Sequence, residues 1–154
     1  MDATMDRIDK KLLTLLQRDA SKTNVEMAEA VALSPSSCLR RVRRLHRSGM
    51  IDRIVAILNP AKAGRVLKAF VTVELKAHGE QHMRRFLDLA SAEDAVSRAY
   101  SVTGGADVIL FLHLRDMSEY EDLCDRLFRE QTNVMRFVTM MVIRTAKEET
   151  AIAI

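Results

Sequence analysis

The spacing of apolar residues changes along this chain of 154 residues, and the change predicts two kinds of structure. Over about residues 5–45, apolar side chains recur three and four positions apart, which is the spacing of a buried helix face. Over residues 67–76 they alternate with mostly polar neighbours, which is typical of a strand that packs one face on a core. We therefore expect an α+β protein with a helical domain over residues 1–60 and a sheet-containing domain over residues 61–154.

The helical domain is predicted to hold three helices. The first spans about residues 6–17, and the second follows Thr23, whose spacing from Glu26 is that of a capping box. The third runs from Pro35 to about Arg47, with Ser34 as its N-cap. The last two helices are short and about three residues apart, which is the pattern of a helix-turn-helix.

A strand is expected over residues 50–58, where an extended apolar segment leads to Asn59 and Pro60. This strand makes the domain a winged helix-turn-helix, in which it is either a small wing or a strut to the next domain. Arg53 within the segment is a candidate phosphate contact, and an ordinary surface role fits it equally well.

The basic excess lies entirely in the helical domain. Residues 1–60 hold 11 Lys and Arg against 7 Asp and Glu, whereas residues 61–154 hold 13 against 14. Residues 31–51 contain no acidic residue and five arginines. A compact basic stretch indicates a polyanionic partner, although charge alone fits a solvated helix face as well.

The third helix is expected to have an inward face made of Cys38, Leu39, Val42 and Leu45. The first turns of a recognition helix enter the major groove of DNA, where serine binds phosphates or bases and arginine binds guanine through two hydrogen bonds. Besides Arg53, the candidate DNA-contacting residues lie on the other side of this helix: Ser36, Ser37, Arg40, Arg41, Arg44 and Arg47.

The second domain is predicted to follow the order strand, helix, strand, strand, helix, strand, which is the ferredoxin-like βαββαβ arrangement of an antiparallel sheet. A capping box that begins at Ser118 starts its second helix. Both helices cover one face of the sheet. The other face is also expected to be apolar, and its candidate residues are Phe70, Ile109, Phe111, Phe137 and Met141. A sheet that is apolar on both faces needs a partner, so we expect a homodimer formed sheet against sheet.

Several segments of both domains resemble the leucine-responsive/asparagine-responsive (Lrp/AsnC) family of bacterial and archaeal regulators. In the first domain the matching segments are residues 5–9, 31–38, 40–45, 49–51 and 58–60. In the second they are residues 102–107 and 116–118, with Tyr120 and Thr139. The family usually has glycine where this chain has Ala32, and commonly has an acidic residue where it has Gly105.

The resemblance implies a sequence-specific transcriptional regulator that binds double-stranded DNA, responds to an amino acid or related small metabolite, and acts as a homo-oligomer. Dimer, tetramer and octamer all remain open. It also implies a small-molecule site between subunits, which carries over to Thr103, Gly104, Gly105, Ala106, Asp107 and Thr139. Glycine N–H groups suit a carboxylate and Asp107 suits an ammonium group, which are the two charges of an amino acid.

Other chemistry has weaker support. His78 and His82 have the spacing of two metal ligands on one helix, but no second pair lies nearby, and two surface histidines are the simpler interpretation. No nucleotide-binding loop, cofactor motif or catalytic triad is visible, so we expect neither cofactor nor enzymatic activity, and a small-molecule enzyme with a DNA-binding appendage is disfavoured. An architectural, nucleoid-type DNA-binding protein with little sequence preference is the alternative function.

The chain is expected to be cytoplasmic. Its longest clear apolar run, residues 108–112, is far shorter than the roughly 18 residues of a membrane span, and no secretory signal is recognised at residues 1–9. Cys38 and Cys124 do not make a disulfide framework, which favours a reducing compartment.

Overall fold

The structure, a computed structural model, describes residues 5–129 and 132–154 and divides the chain into two compact units. The first unit comprises the described residues up to Ala56 together with Lys147–Ile154, and the second is Ile57–Ala146. The division near residue 56 lies within a few residues of the expected domain boundary. The grouping of the last eight residues with the first unit differs from the expected division, which gave them to the second.

Three helices form the first unit: α1 Arg7–Arg18, α2 Asn24–Ala30 and α3 Pro35–Arg47. Each begins where a side chain accepts backbone N–H groups, at Asp6, Thr23 and Ser34 respectively. The predicted helix-turn-helix is therefore confirmed, and its helices begin and end within about a residue of the predicted positions. The buried residues at its centre are Leu12, Met27, Ala28, Val31 and Cys38.

The turn between α2 and α3 is a Schellman motif. The Leu33 N–H donates to the Ala28 carbonyl at 2.9 Å, and the Ala32 N–H donates to the Glu29 carbonyl at 3.1 Å. This geometry requires a left-handed residue, and Ala32 has φ 55°. A side chain with a Cβ is strained there, which explains why glycine suits this position better than alanine.

The strand expected over residues 50–58 is not formed, so the described chain has no wing strand. Residues 52–59 have no regular secondary structure, and the apolar residues Ile54, Val55, Ile57 and Leu58 are exposed. All strands of the described residues belong to one sheet elsewhere in the chain. The apolar pattern predicted extended backbone, but a strand also needs a hydrogen-bonded neighbour, and no described part of the chain supplies one for this segment.

The second unit is one four-stranded antiparallel sheet with two helices. Its elements are β1 Leu67–Leu75, α4 Glu80–Ser91, β2 Val96–Ser101, β3 Val108–Leu114, α5 Met117–Leu127 and β4 Val134–Met141. The strands lie in the order β2-β3-β1-β4, as the ferredoxin-like prediction requires. The helix α5 begins earlier than expected, because the Asp116 carboxylate, rather than Ser118, accepts the Glu119 N–H at 2.9 Å.

The face of the sheet that packs on the helices holds the core of this unit, in which Val71, Leu110 and Phe86 are almost fully buried. Phe137 and Met141 were expected on the opposite face, and this was wrong. They pair with Val73 and Ala69 of β1, whose side chains point toward the helices. Directly paired residues share a face, so the β1–β4 register decides the side, and sequence alternation alone did not supply that register.

The opposite, open face of the sheet is apolar at its centre. Phe70 of β1 pairs with Phe111 of β3 and Met140 of β4, and Tyr100 pairs with Ile109. Phe70 is 42% exposed, and Tyr100, Val138 and Met140 are exposed as well. We call this set the open sheet face: Phe70, Tyr100, Ile109, Phe111, Val138 and Met140. None of the described helices is long and apolar enough to cross a lipid bilayer.

The segment Lys147–Ile154 joins the first unit through α1. The Gln17 side-chain amide donates to the Ile152 carbonyl at 3.1 Å and its oxygen accepts the Ile152 N–H at 2.7 Å. One side chain therefore satisfies both backbone groups of a residue 135 positions away in sequence. Side-chain amides are common in sequence, which is why this contact was not predicted.

Ala32 generates the first testable prediction. Replacing Ala32 with Gly relieves the left-handed strain and is expected to raise the free energy of unfolding by about 1 kcal/mol, net of the larger entropy of an unfolded glycine. Chemical denaturation measures the change. The control is Ala30→Gly in the last turn of α2, which is expected to lower stability, so an equal effect of both changes would contradict the assigned turn.

Candidate functional site

One face of α3 points to solvent and carries no acidic side chain. Its residues recur at the three- and four-residue spacing of a single helix face. They line a shallow depression of about 600 Å³: Ser36, Leu39, Arg40, Arg43, His46 and Arg47. We call these residues the exposed face of α3. Among the described residues, no carboxylate is ion-paired with Arg40, Arg43 or Arg47, so the face has three uncompensated guanidinium groups.

Arg41 and Arg44 have a different environment from the other arginines of α3. Arg41 Nη1 lies 2.6 Å from Asp6 Oδ2 and 3.0 Å from Asp9 Oδ1, and Arg44 Nη2 donates to Asp9 Oδ2. The Asp9 side chain is 1% exposed. Both arginines were predicted as DNA contacts, whereas the structure gives them partners that hold α3 against α1.

The carboxyl of Asp6 is held in its charged form within this network. The Asp9 backbone N–H and then the Arg41 guanidinium lower the pKa of Asp6 below its ordinary value of 3.8. The carboxylates of Asp6 and Asp9 in turn raise the pKa of Arg41. A depressed carboxyl pKa contributes stability above the unfolded value, and this contribution is lost as the pH falls through the folded value. The α1–α3 pairing is therefore intact near neutral pH.

The serines before Arg40 combine a capping role with exposure. The Ser34 hydroxyl accepts the Ser37 N–H at 3.3 Å, donates to Ser37 Oγ at 3.0 Å and lies 3.2 Å from Ser36 Oγ. Ser36 is exposed and Ser37 is half-buried. Arg53 lies outside α3, and its exposed side chain is 3.9 Å from the Asp52 carboxylate.

The sequence interpretation missed three members of the exposed face of α3. Leu39 was expected to pack inward, but it is 38% exposed, whereas Cys38 and Leu45 are buried. Arg43 and His46 were not among the candidates. Successive helical residues are 100° apart, so the line from Ser36 to Arg40, Arg43 and Arg47 was available from spacing alone. Leu39 borders this line.

The loop over residues 102–107 joins β2 to β3 and contains five of the six candidate ligand residues. Thr103, Gly104 and Gly105 are exposed, and Gly104 has φ 123°, which glycine adopts without strain. Asp107 anchors the loop, because its Oδ2 accepts the Leu75 N–H at 2.7 Å and its own N–H donates to the Val73 carbonyl at 2.9 Å. Its other carboxylate oxygen lies 3.7 Å from His78 Nδ1.

Thr139, the sixth candidate, is not brought to this loop within the chain. It lies on β4 and pairs with Val71, and its hydroxyl accepts a hydrogen bond of 2.8 Å from the Tyr120 hydroxyl. β1 separates β4 from β3, so two strand spacings, together roughly 10 Å, lie between Thr139 and the strand that follows the loop. The described residues also bring together no group of three metal-ligating side chains around His78 and His82.

The comparisons with known proteins agree with this architecture. The family model of the AsnC-type helix-turn-helix domain matches residues 5–46, and that of the Lrp/AsnC ligand binding domain matches residues 68–152. The chain belongs to the Lrp/AsnC family of transcriptional regulators. The resemblance found in the sequence is thereby confirmed, as is the pairing of a helix-turn-helix with a ferredoxin-like domain.

Relatives of this Lrp/AsnC regulator match it over nearly its whole length. An uncharacterized helix-turn-helix-type transcriptional regulator of Sinorhizobium fredii is 36% identical over 150 residues, covering 97% of this chain and 89% of the relative. The leucine-responsive regulatory protein of Rhizobium meliloti is 35% identical over 144 residues, covering 94% and 92%. The crystal structure of a Neisseria meningitidis transcriptional regulator in complex with L-Met has a TM-score of 0.92 at 29% identity and covers 97% of both chains.

Arg41 is ion-paired with α1 and Arg40 is not ion-paired with any described carboxylate, so we expect their replacement by alanine to change the stability of the regulator by different amounts. Arg41→Ala leaves the buried Asp9 carboxylate with one partner fewer, and it is expected to lower the free energy of unfolding by about 1–3 kcal/mol. Arg40→Ala is the matched control on the adjacent residue and is expected to change stability by less than about 0.5 kcal/mol. Urea denaturation measures the free energy of unfolding of both variants, and equal values would contradict the structural role assigned to Arg41.

Proposed function

We propose that this Lrp/AsnC regulator reads DNA through the exposed face of α3, responds to an amino acid or related small metabolite, and works as a homo-oligomer. The observation that carries the proposal is that the arginines of α3 have two different environments. Two arginines fix the helix to α1, while Arg40, Arg43 and Arg47 project from a rigid element with no ion-paired carboxylate among the described residues. A fixed helix that presents free guanidinium groups suits a polyanionic groove.

The residues of α3 are proposed to make two kinds of DNA contact, one to base edges and one to phosphates. Ser36, Ser37 and Arg40 lie in its first turns, where a recognition helix meets base edges, and Arg40 is placed to bind guanine O6 and N7. Arg43 and Arg47 follow along the same face and suit phosphates, with Arg53 as a further phosphate contact. Arg41 and Arg44 act by holding the helix in position, and Arg44, which is 44% exposed, retains access to a phosphate.

The proposed effector site uses the loop over residues 102–107 and Thr139. Related proteins support an amino acid, since one solved relative is a complex with L-Met and a Zymomonas mobilis relative, 31% identical over 144 residues, is named a glutamate uptake regulatory protein. The exposed N–H groups around Gly104 and Gly105 suit the carboxylate of such a ligand. Thr139 is remote from the loop of its own chain, so the proposal requires a site shared by two copies, in which Thr139 of one copy lies beside the loop of the other.

Oligomerisation is proposed to use the open sheet face. Its apolar centre is exposed in the single chain, and a two-fold dimer that covers it buries Phe70, Val138 and Met140. Such a dimer presents two copies of α3 to successive turns of a pseudo-palindromic site. An effector shifts the arrangement of the copies only if it binds one arrangement more tightly than another. This mechanism involves no catalysis and no cofactor.

The DNA contacts predict a difference among arginine variants. Arg40→Ala is expected to lose about 1–3 kcal/mol of discrimination at one base pair. Arg43→Ala is expected to weaken binding to all sequences and to reduce the salt dependence by about one phosphate contact. Binding curves for a selected duplex and a random duplex, each at several salt concentrations, measure both effects.

The control for these variants is Arg84→Ala, which removes an exposed arginine from α4 in the other unit. Equal affinity of the wild type for selected and random duplexes at fixed salt would instead support the architectural alternative. Unchanged affinity and preference in both α3 variants would rule out the assigned surface.

The open sheet face predicts that a charge at its centre disrupts assembly. Phe70→Lys is expected to shift the protein from dimer or larger to monomer, because a buried ammonium group without a partner is costly. Light scattering at micromolar concentration measures the mass. Leu89→Lys, at an exposed apolar position of α4, serves as the control, and a wild-type monomer at this concentration would refute the proposed interface.

The effector proposal predicts stabilisation by a subset of the amino acids. A ligand present at 100 times its dissociation constant adds roughly 2.7 kcal/mol to the free energy of unfolding. A thermal-shift screen of the amino acids, followed by DNA binding with and without each hit, tests it. The proposal fails if no amino acid at millimolar concentration changes either the melting temperature or the affinity for DNA.

A further inference from the structure

Leu39 is an apolar member of the exposed face of α3, whose other members are serine, arginine and histidine. It is 38% exposed and lies in the second turn of the helix, immediately before Arg40. An isolated exposed leucine is common on protein surfaces. Here, however, it lies within the part of the helix that is proposed to meet base edges, so a base pair would be its neighbour in a complex with DNA.

The chemistry of the major groove restricts what this side chain contacts. The base edges there present hydrogen-bond donors and acceptors, and their apolar group is the 5-methyl of thymine. Against any other base edge, Leu39 removes water from a polar group and returns no hydrogen bond. Against thymine, two apolar groups leave water together.

The neighbouring arginines indicate which kind of molecule binds this surface, and Arg40 indicates where on that molecule Leu39 makes its contact. The three guanidinium groups around Leu39 suit a polyanion such as duplex DNA rather than an apolar protein surface. One residue of helix rises 1.5 Å, and base pairs are 3.4 Å apart. The base contacted by Leu39 therefore lies within one or two base pairs of the base contacted by Arg40.

We propose that Leu39 is a specificity-determining residue that packs on the 5-methyl group of a thymine beside the base read by Arg40. This rests on the proposed function of α3 and adds a preference for thymine at a defined position of each half-site. The preference comes from an apolar contact, so it is separable from the hydrogen bonds of Arg40 and from the phosphate contacts.

The test uses a duplex that the wild-type protein selects from a random pool. Each thymine is replaced singly by uracil, which removes the 5-methyl group and leaves the hydrogen-bonding edge unchanged. Dissociation constants are measured at fixed salt for the wild type, Leu39→Ala and Leu39→Met. Leu89→Ala, which truncates an exposed leucine on α4, is the matched control.

The wild type and Leu89→Ala are expected to lose about fourfold in affinity at one or two uracil positions of each half-site. Leu39→Ala is expected to bind the selected duplex more weakly and to lose the distinction between thymine and uracil at those positions, whereas Leu39→Met retains it. A wild type that tolerates uracil everywhere, or a Leu39→Ala variant with an unchanged uracil response, would overturn the inference.

These outcomes separate the inference from the proposed function. If the wild type prefers the selected duplex over a random one but is insensitive to the methyl groups, only the proposed role of Leu39 is refuted. If the wild type has no preference between the two duplexes, both the role of Leu39 and the sequence-specific function of α3 are refuted.

Discussion

The buried carboxylate of Asp9 is the interaction on which the first unit depends. It accepts the Asp6 N–H at 3.2 Å, which closes the capping box of α1, and it also accepts hydrogen bonds from Arg41 and Arg44. A charge that is 1% exposed is stable only when its oxygens are occupied by charged or backbone donors. One side chain thus joins the start of α1 to the middle of α3 and sets the direction in which α3 projects.

The arginines of α3 consequently have two different roles. The arginines at 41 and 44 neutralise Asp6 and Asp9, and their positive charge is largely cancelled. Arg40, Arg43 and Arg47 have no ion-paired carboxylate among the described residues and retain their positive charge. The positive electrostatic potential of α3 is therefore concentrated on one side of the helix. A basic run in sequence reports the total charge, whereas the acidic residues of a neighbouring helix decide how much of that charge faces a ligand.

Much of the fold followed from local rules. The caps expected at Thr23 and Ser34 and the change from helical to alternating spacing predicted the helices, the strands of the sheet and their order, whereas the Asp6 cap was found only in the structure. The features that were not predicted depend on contacts distant in sequence. The β1–β4 register placed Phe137 on the helix face, and the segment over residues 50–58 lacked a strand partner. In the candidate site, Arg40 and Ser36 followed from helix periodicity, but the pairing of Arg41 with Asp6 joins residues 35 positions apart and leaves no local pattern.

The docking of Lys147–Ile154 on α1 has a consequence for biosynthesis. The three helices leave the ribosome before residues 57–146, and the segment Lys147–Ile154 that joins their unit leaves it only after those residues have been made. During translation the helix-turn-helix therefore exists without the backbone partner of Gln17, while the intervening sheet forms as a separate folding unit. The first unit is therefore complete only after the second has been synthesised, although the described members of its hydrophobic core all lie within residues 8–42.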